Sequence, residues 1–225
     1  MDQLRSFKAV FFDLDGTLLD TRALVAISHK HAFKTVLGQD IDEAEIMRDY
    51  GRPLRYTFAR YAPSRVDEMI QAYRTFMITQ HDVMADVFPG VCEGIKSIHA
   101  LGQTWDPALK IGLVTSKKRP LAERGLQLHQ LDSYFDIIVG EEDTQEHKPE
   151  PEPLLYAARK LQLMPEDTLY VGDSPYDIMC AHAAGTQSAV VSWSSFRADE
   201  LLELRPNYVL HSFADLEEII RQNLH

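Results

Sequence analysis

The chain has 225 residues, of which 45% are apolar and 25% charged, and it carries a formal net charge of −11. That length suits one sizeable domain, or a core domain with an insertion, in a globular enzyme. The acidic balance argues against polyanionic partners, nucleic acid and anionic membrane alike, because like charges repel.

Met1 to Lys8 is polar and lacks the apolar core of a signal peptide. Residues 9–12 form a short apolar run that ends at Asp13 and is broken by Gly16-Thr17, the pattern of a strand. From 21 to 87 no strand pattern is visible. Helical periodicity over 22–37, 41–50 and 66–81 predicts a helical insert, and Pro89-Gly90 marks its end. Beyond it, strand-like runs at 109–115, 135–139, 168–171, 187–191 and 208–210 alternate with helical patterns at 91–101, 119–128, 153–161, 176–184 and 213–223. Most of these runs are continuously apolar, as expected of parallel strands buried on both faces. Alternation of strand and helix predicts an α/β fold: a Rossmann-like, doubly wound parallel sheet core (1–20 and 88–225) with an inserted α-helical cap (21–87). The proline-rich stretch from Lys148 to Pro153 predicts a stiff, extended connector. No run of roughly 18 apolar residues occurs, so no membrane span is expected, and the location is read as cytoplasmic. Cys92 and Cys180 stand apart from any CxxC pair and read as reduced, mostly buried thiols.

Four segments carry chemistry. Phe12-Asp13-Leu14-Asp15-Gly16-Thr17 places two carboxylates and a turn directly after a buried strand, where doubly wound sheets bind ligands. An Asp-Gly pair alone would be an ordinary turn, but the whole string is more specific. Thr115-Ser116 ends a second apolar strand, so Thr115 can donate to a phosphate oxygen, although such hydroxyls also cap helices. Lys148, before Pro149, is by itself an ordinary loop cation. Asp173 ends a third strand and Asp177 follows it, with capping of the next helix as the lesser reading. Together three strand ends deliver carboxylates and a hydroxyl, and one loop delivers an ammonium. Oxygen ligands of this kind suit Mg²⁺, and a carboxylate can act as a nucleophile toward phosphate. In so acidic a protein, local cations or a metal must invert the field for an anionic substrate.

In order, DLDGTLLD, LVTSK, HKPEPEP and VGDSPYD resemble the four motifs of the haloacid dehalogenase superfamily, spread over Phe11 to Asp177. Val191-Ser192-Trp193 and the segment Pro206 to Leu210 resemble its phosphoglycolate phosphatase branch. Gly125 to Pro153, with Ser192-Trp193, resembles the bacterial inorganic pyrophosphatases within that branch. The resemblance implies that Asp13 is the nucleophile and Asp15 the acid/base. It implies that Asp13, Asp173 and the Asp15 carbonyl hold Mg²⁺, that Thr115 and Lys148 bind the transferring phosphate, and that Asp177 supports the metal and Lys148. Gly16 and Ser116 fall in the phosphate-binding turns. Gly51-Arg52-Pro53 resembles a substrate-specificity loop, so Arg52 would reach an anionic substrate; a solvated residue at a helix start is the other reading. The implied activity is phosphohydrolysis of a small molecule, pyrophosphate or phosphoglycolate, by a monomer or homodimer, with a phosphomutase as the alternative. His29 and His31 are two apart on a helix and share no face. Met69, Tyr73, Phe76 and Met77 read as cap core, and Glu141-Glu142-Asp143, which follows the 135–139 strand, reads as a solvated acidic loop, with a place near the site as the alternative.

Overall fold

The computed structural model describes residues 7–223; the expectation for residues 1–6 lies outside them. In chain order the strands are β1 (Ala9–Phe12), β2 (Leu19–Asp20), β3 (Asp86–Val87), β4 (Lys110–Val114), β5 (Ile137–Val139), β6 (Thr168–Gly172), β7 (Gln187–Val191) and β8 (Tyr208–Leu210). The helices are α1 (Arg22–Leu37), α2 (Glu43–Met47), α3 (Leu54–Tyr61), α4 (Val66–Met84), α5 (Val91–Gly102), α6 (Arg119–Leu128), α7 (Glu152–Lys160), α8 (Pro175–Ala184), α9 (Ala198–Glu203) and α10 (Phe213–Gln222).

Six strands form one sheet in the order β5-β4-β1-β6-β7-β8. Every neighbouring pair in it is parallel. This is the expected doubly wound α/β core. Successive strand side chains point to opposite faces, so β1 feeds both apolar layers. Val10 and Phe12 pack with Val91, Ile95 and Ile98 of α5 and with Leu216 and Ile220 of α10. Ala9 and Phe11 pack with Leu154 and Ala157 of α7 and with Cys180 and Ala181 of α8. Each fully buried Phe contributes about 1.5–3 kcal/mol relative to exposure, which is why a four-residue strand without a polar side chain can anchor the centre.

Helices α1, α3 and α4 bury a separate apolar seam that includes Leu24, Phe33, Phe58 and Met69. Leu121 and Phe196, which follow β4 and β7 in the chain, pack against that seam. The helical insert therefore lies on the core. Its entry and exit are tied together by β2 and β3, an antiparallel ribbon that pairs Leu19 with Val87 and Asp20 with Asp86. The Phe88 N–H extends this pairing by donating to the Leu18 carbonyl at 3.1 Å.

Several expectations need correction. A strand-free stretch through Val87 was expected, yet Asp86–Val87 is β3, because its pairing partner lies before the insert and leaves no local pattern. The helix expected at 41–50 is α2 alone, started by Asp42, whose side chain accepts from the Ala44 N–H. Helix α3 was not expected; it follows Pro53 directly and buries only Thr57 and Phe58. The connector after Lys148 is a turn, not an extended rod: the Glu150 N–H donates to the His147 carbonyl at 2.9 Å.

Candidate active site

Parallel register places the site. Phe12 lies opposite Leu113 on one side and Val171 on the other. Asp13, Thr115 and Asp173 therefore emerge together at adjacent carboxyl ends. The Asp13 N–H donates to the Val171 carbonyl at 2.9 Å, and the Thr115 N–H to the Val139 carbonyl at 3.0 Å. The chain leaves β1 through Gly16, whose φ of +88° is strained for any other residue. A Cβ there would lie 2.3 Å from Asp173 Oδ2, so glycine also keeps the space above that carboxylate open.

Lys148 is 3% exposed and joins the strands electrostatically. Its Nζ donates to Asp13 Oδ1 at 2.8 Å, Asp177 Oδ1 at 2.7 Å and the Tyr170 hydroxyl at 3.1 Å. Asp177 Oδ2 accepts from the Ser174 N–H at 3.0 Å and the Ser174 hydroxyl at 2.6 Å, so both of its oxygens are engaged. Burial pushes Asp177 up, but Lys148 and Ser174 outweigh it and hold the carboxyl below its usual range. Asp13 goes the other way: burial raises it to about 7, with Lys148 only partly opposing. Asp173 is raised well above the usual range by burial, then by the charges of Asp177 and Asp13. Lys148 is held above its ordinary value because the two aspartates outweigh the effect of burial. Three buried carboxylates thus share one ammonium, and the cluster is short of positive charge.

That shortage is the test of a metal. Oxygens of Asp13, Asp173 and Asp177 lie within 4.8 Å of one another. Asp173 Oδ2 is buried without a hydrogen-bond partner among the described residues. An orphaned carboxylate oxygen in an all-oxygen cluster fits a hard divalent cation. The carboxylate of Asp15 stands outside this cluster, so metal binding by Asp15 would have to use its carbonyl. Asp15 Oδ1 instead accepts from the Thr21 hydroxyl at 2.6 Å and from Lys117 Nζ at 2.7 Å.

Lys117 was given no role on sequence grounds. It is buried, and the only local sign was a lysine directly after the Thr115-Ser116 pair. The Lys117 N–H donates to Thr115 Oγ1 at 3.2 Å, which leaves the Thr115 hydroxyl proton free for a ligand. Ser116, expected to bind substrate, donates to the Gly51 carbonyl at 3.3 Å and ties core to cap. Arg52 lies over the Tyr176 ring at 4.9 Å and the Tyr56 ring at 5.7 Å, 3.9 Å from Asp49.

Between core and cap lies a cavity of about 530 Å³, floored by Asp13, Asp15, Thr115 and Lys148. Arg52, Arg74, Lys117, Lys118 and Arg124 also line it. These side chains supply the local positive field that the net charge of −11 lacks. Two expectations change here. Tyr73 and Met77 belong to the cap seam but also face the cavity. Of Glu141-Glu142-Asp143 only Glu142 is exposed: Glu141 lines the cavity and pairs with Arg74 of α4, while Asp143 accepts from Arg119 at 2.5 Å. His29 is a cap-core residue, bonded to the Val25 carbonyl at 2.9 Å and pushed down to about 4 by burial. Both cysteines are free, and burial pushes the Cys180 thiol up to about 12.

Residues 10–191 match the family model of the haloacid dehalogenase-like hydrolases. The chain belongs to that family. Among its relatives is the pyrophosphatase PpaX of Halalkalibacterium halodurans, 37% identical over 211 residues, which cover 94% of this chain and 95% of that one. The pyrophosphatase PpaX of Anoxybacillus flavithermus is 35% identical over 215 residues, 96% of this chain and 97% of that one. Among solved structures, a predicted phosphatase from Clostridium acetobutylicum superposes with a TM-score of 0.84 at 25% identity, covering 96% of this chain and 99% of that one. A predicted phosphoglycolate phosphatase from Haemophilus somnus gives 0.80 at 26% identity, covering 97% and 99%. The expected superfamily and branch are therefore those of this hydrolase. No helix among the described residues is long and apolar enough to cross a membrane.

Proposed function

We propose that this hydrolase cleaves a small phosphorylated substrate, with inorganic pyrophosphate ahead of phosphoglycolate, through a phosphorylated Asp13 and with Mg²⁺ as cofactor. The observation that carries the reading is Asp13 itself: buried under a cation-lined cavity, with Oδ1 held by Lys148 and no hydrogen bond to Oδ2 among the described residues. Oδ2 attacks phosphorus, and the bond to the leaving oxygen breaks. Asp15 gives that oxygen a proton and then, as carboxylate, takes one from the water that displaces Asp13 from phosphorus. The Thr115 hydroxyl holds an oxygen of the transferring group, and Lys148, whose protons go to Asp13, Asp177 and the Tyr170 hydroxyl, acts on that group through its charge. Asp13, Asp173 and the Asp15 carbonyl would hold Mg²⁺, which neutralises charge on the phosphate and the carboxylates. The names of the relatives favour pyrophosphate, and so does the number of cations that line the cavity.

A panel of pyrophosphate, phosphoglycolate and sugar phosphates, assayed with Mg²⁺, tests the substrate. Pyrophosphate should give the highest kcat/KM, and a sugar phosphate exceeding both acids would overturn the reading. Demetallated protein in excess EDTA should be inactive and recover with Mg²⁺, because Asp13 and Asp173 would otherwise repel the substrate. Full turnover in EDTA would refute the metal requirement.

Arg52 is the cap residue proposed to select the substrate. Arginine suits phosphate oxygens, and Gly51, at φ +84° with a built Cβ 3.3 Å from Ser174 Oγ, lets the loop approach the core. Arg52→Ala should lower kcat/KM for pyrophosphate by about tenfold or more relative to an aryl phosphate, since one charge-assisted hydrogen bond is worth about 1.5–3 kcal/mol. Equal losses on both substrates would remove Arg52 from the selector role.

A further inference from the structure

We infer that Tyr50 from the cap and Lys117 from the core form the subsite for the leaving phosphate, on either side of Asp15; the inference rests on the pyrophosphate reading. Tyr50 is 4% exposed and lines the cavity. Its hydroxyl is buried without a hydrogen-bond partner among the described residues. It approaches the Thr21 side chain without completing a bond. A phenol keeps its proton at neutral pH, so the hydroxyl is available as a donor. A buried donor with no acceptor is unfavourable. Here an acceptor on a ligand would remove the penalty.

Lys117 completes the subsite from below. Its side chain is 5% exposed, and Nζ lies 2.7 Å from Asp15 Oδ1. The oxygen that Asp15 protonates belongs to the leaving group. An ammonium one hydrogen bond from Asp15 therefore stands beside that group, whereas Lys148 is bonded to Asp13 and serves the transferred one. An aryl leaving group has no further anionic oxygens for Lys117 or Tyr50. A leaving phosphate has several, and they match an ammonium and a phenol proton.

The test compares pyrophosphate with p-nitrophenyl phosphate, using the full chain with Mg²⁺. Tyr50→Phe should lower kcat/KM for pyrophosphate by about tenfold more than for the aryl phosphate, as loss of one hydrogen bond to a charged group predicts. Its melting temperature should not fall, because an unpartnered hydroxyl holds nothing together. Lys117→Met should show the same selectivity with a larger ratio, and Lys117→Arg should recover part of it. Equal losses on both substrates would mean that the two residues only position Asp15, and a lower melting temperature for Tyr50→Phe would make its hydroxyl structural; either result overturns the inference alone. A wild type that turns over the aryl phosphate but not pyrophosphate overturns the substrate reading, and the inference with it.

Discussion

Asp13→Asn should abolish turnover of every phosphorylated substrate, by at least about 10⁴-fold, while leaving the fold intact. The amide keeps the shape of the side chain and an acceptor for Lys148, but it cannot form an acyl phosphate. The same variant should be more stable than wild type in metal-free buffer at pH 8. Asp13 titrates near 7 in the folded protein against 3.8 for an ordinary aspartate, because burial disfavours its charge. Between those values the folded state holds a proton that the unfolded state has released, so the Asp13 contribution to stability falls as pH rises from about 4 to about 7. Asparagine has no such dependence. The stability gap between variant and wild type should be widest above pH 7 and close toward pH 4. Melting curves of both proteins in EDTA across that range measure it. Adding Mg²⁺ should reverse the order, since the wild type offers one more charged ligand. A variant retaining more than about a hundredth of the wild-type rate would require a different nucleophile.

The parts of this molecule that were legible in the sequence share a physical cause. Parallel strands buried on both faces leave continuous apolar runs, and the first polar residue after such a run marks a strand end. Asp13, Thr115 and Asp173 stand at those points, so the floor of the site could be placed before any coordinates. What was not legible depends on pairings far apart in the chain. Lys117 meets Asp15 across 102 residues, and Arg74 meets Glu141 across 67. A lysine after Thr-Ser, or a run of acids after a strand, has no periodicity that announces its partner. β3 was hidden for the same reason, since two residues form a strand only because Leu19–Asp20 lies beside them. Tyr50 entered only as the last residue of the helix expected at 41–50; burial without a partner among the described residues is what separates its hydroxyl from the packing around it.

The electrostatic question raised by the composition is answered by partition rather than by net charge. Surface acids give the chain its −11, while the cavity gathers Arg52, Arg74, Lys117, Lys118, Arg124 and Lys148. Some are drawn from the cap and some from the core, so the cationic enclosure is complete only with the cap in place. Excluding water from it would strengthen each charge interaction with the substrate.

Lys148→Met should slow all substrates to a similar extent, by about 10²–10³-fold, the effect of removing one preorganised charge beside a developing one. The similarity across substrates is the diagnostic feature. Lys148 is bonded to Asp13 and Asp177, away from the Lys117 side, so its charge acts on the transferred group that every substrate has in common. The variant should also be less stable, since removing one partner of a buried ion pair costs about 3–5 kcal/mol. Its pH dependence follows from the charges left behind. Lys148 is held above its ordinary 10.5, so in wild type its contribution is fully present below that value and is lost only as pH rises through the folded value. Without the ammonium, Asp177 loses the charge that holds it low, and Asp13 and Asp173 rise further. The folded variant then keeps protons that the unfolded chain releases above about pH 4, so its deficit grows toward pH 8 and shrinks on acidification. Melting temperatures of the two metal-free proteins between pH 5 and 8 would show this widening gap. An unchanged rate and a parallel pair of melting profiles would return Lys148 to the role of a loop cation. A loss confined to pyrophosphate would move it to the leaving-group side, leaving Thr115 as the remaining donor to the transferred phosphate.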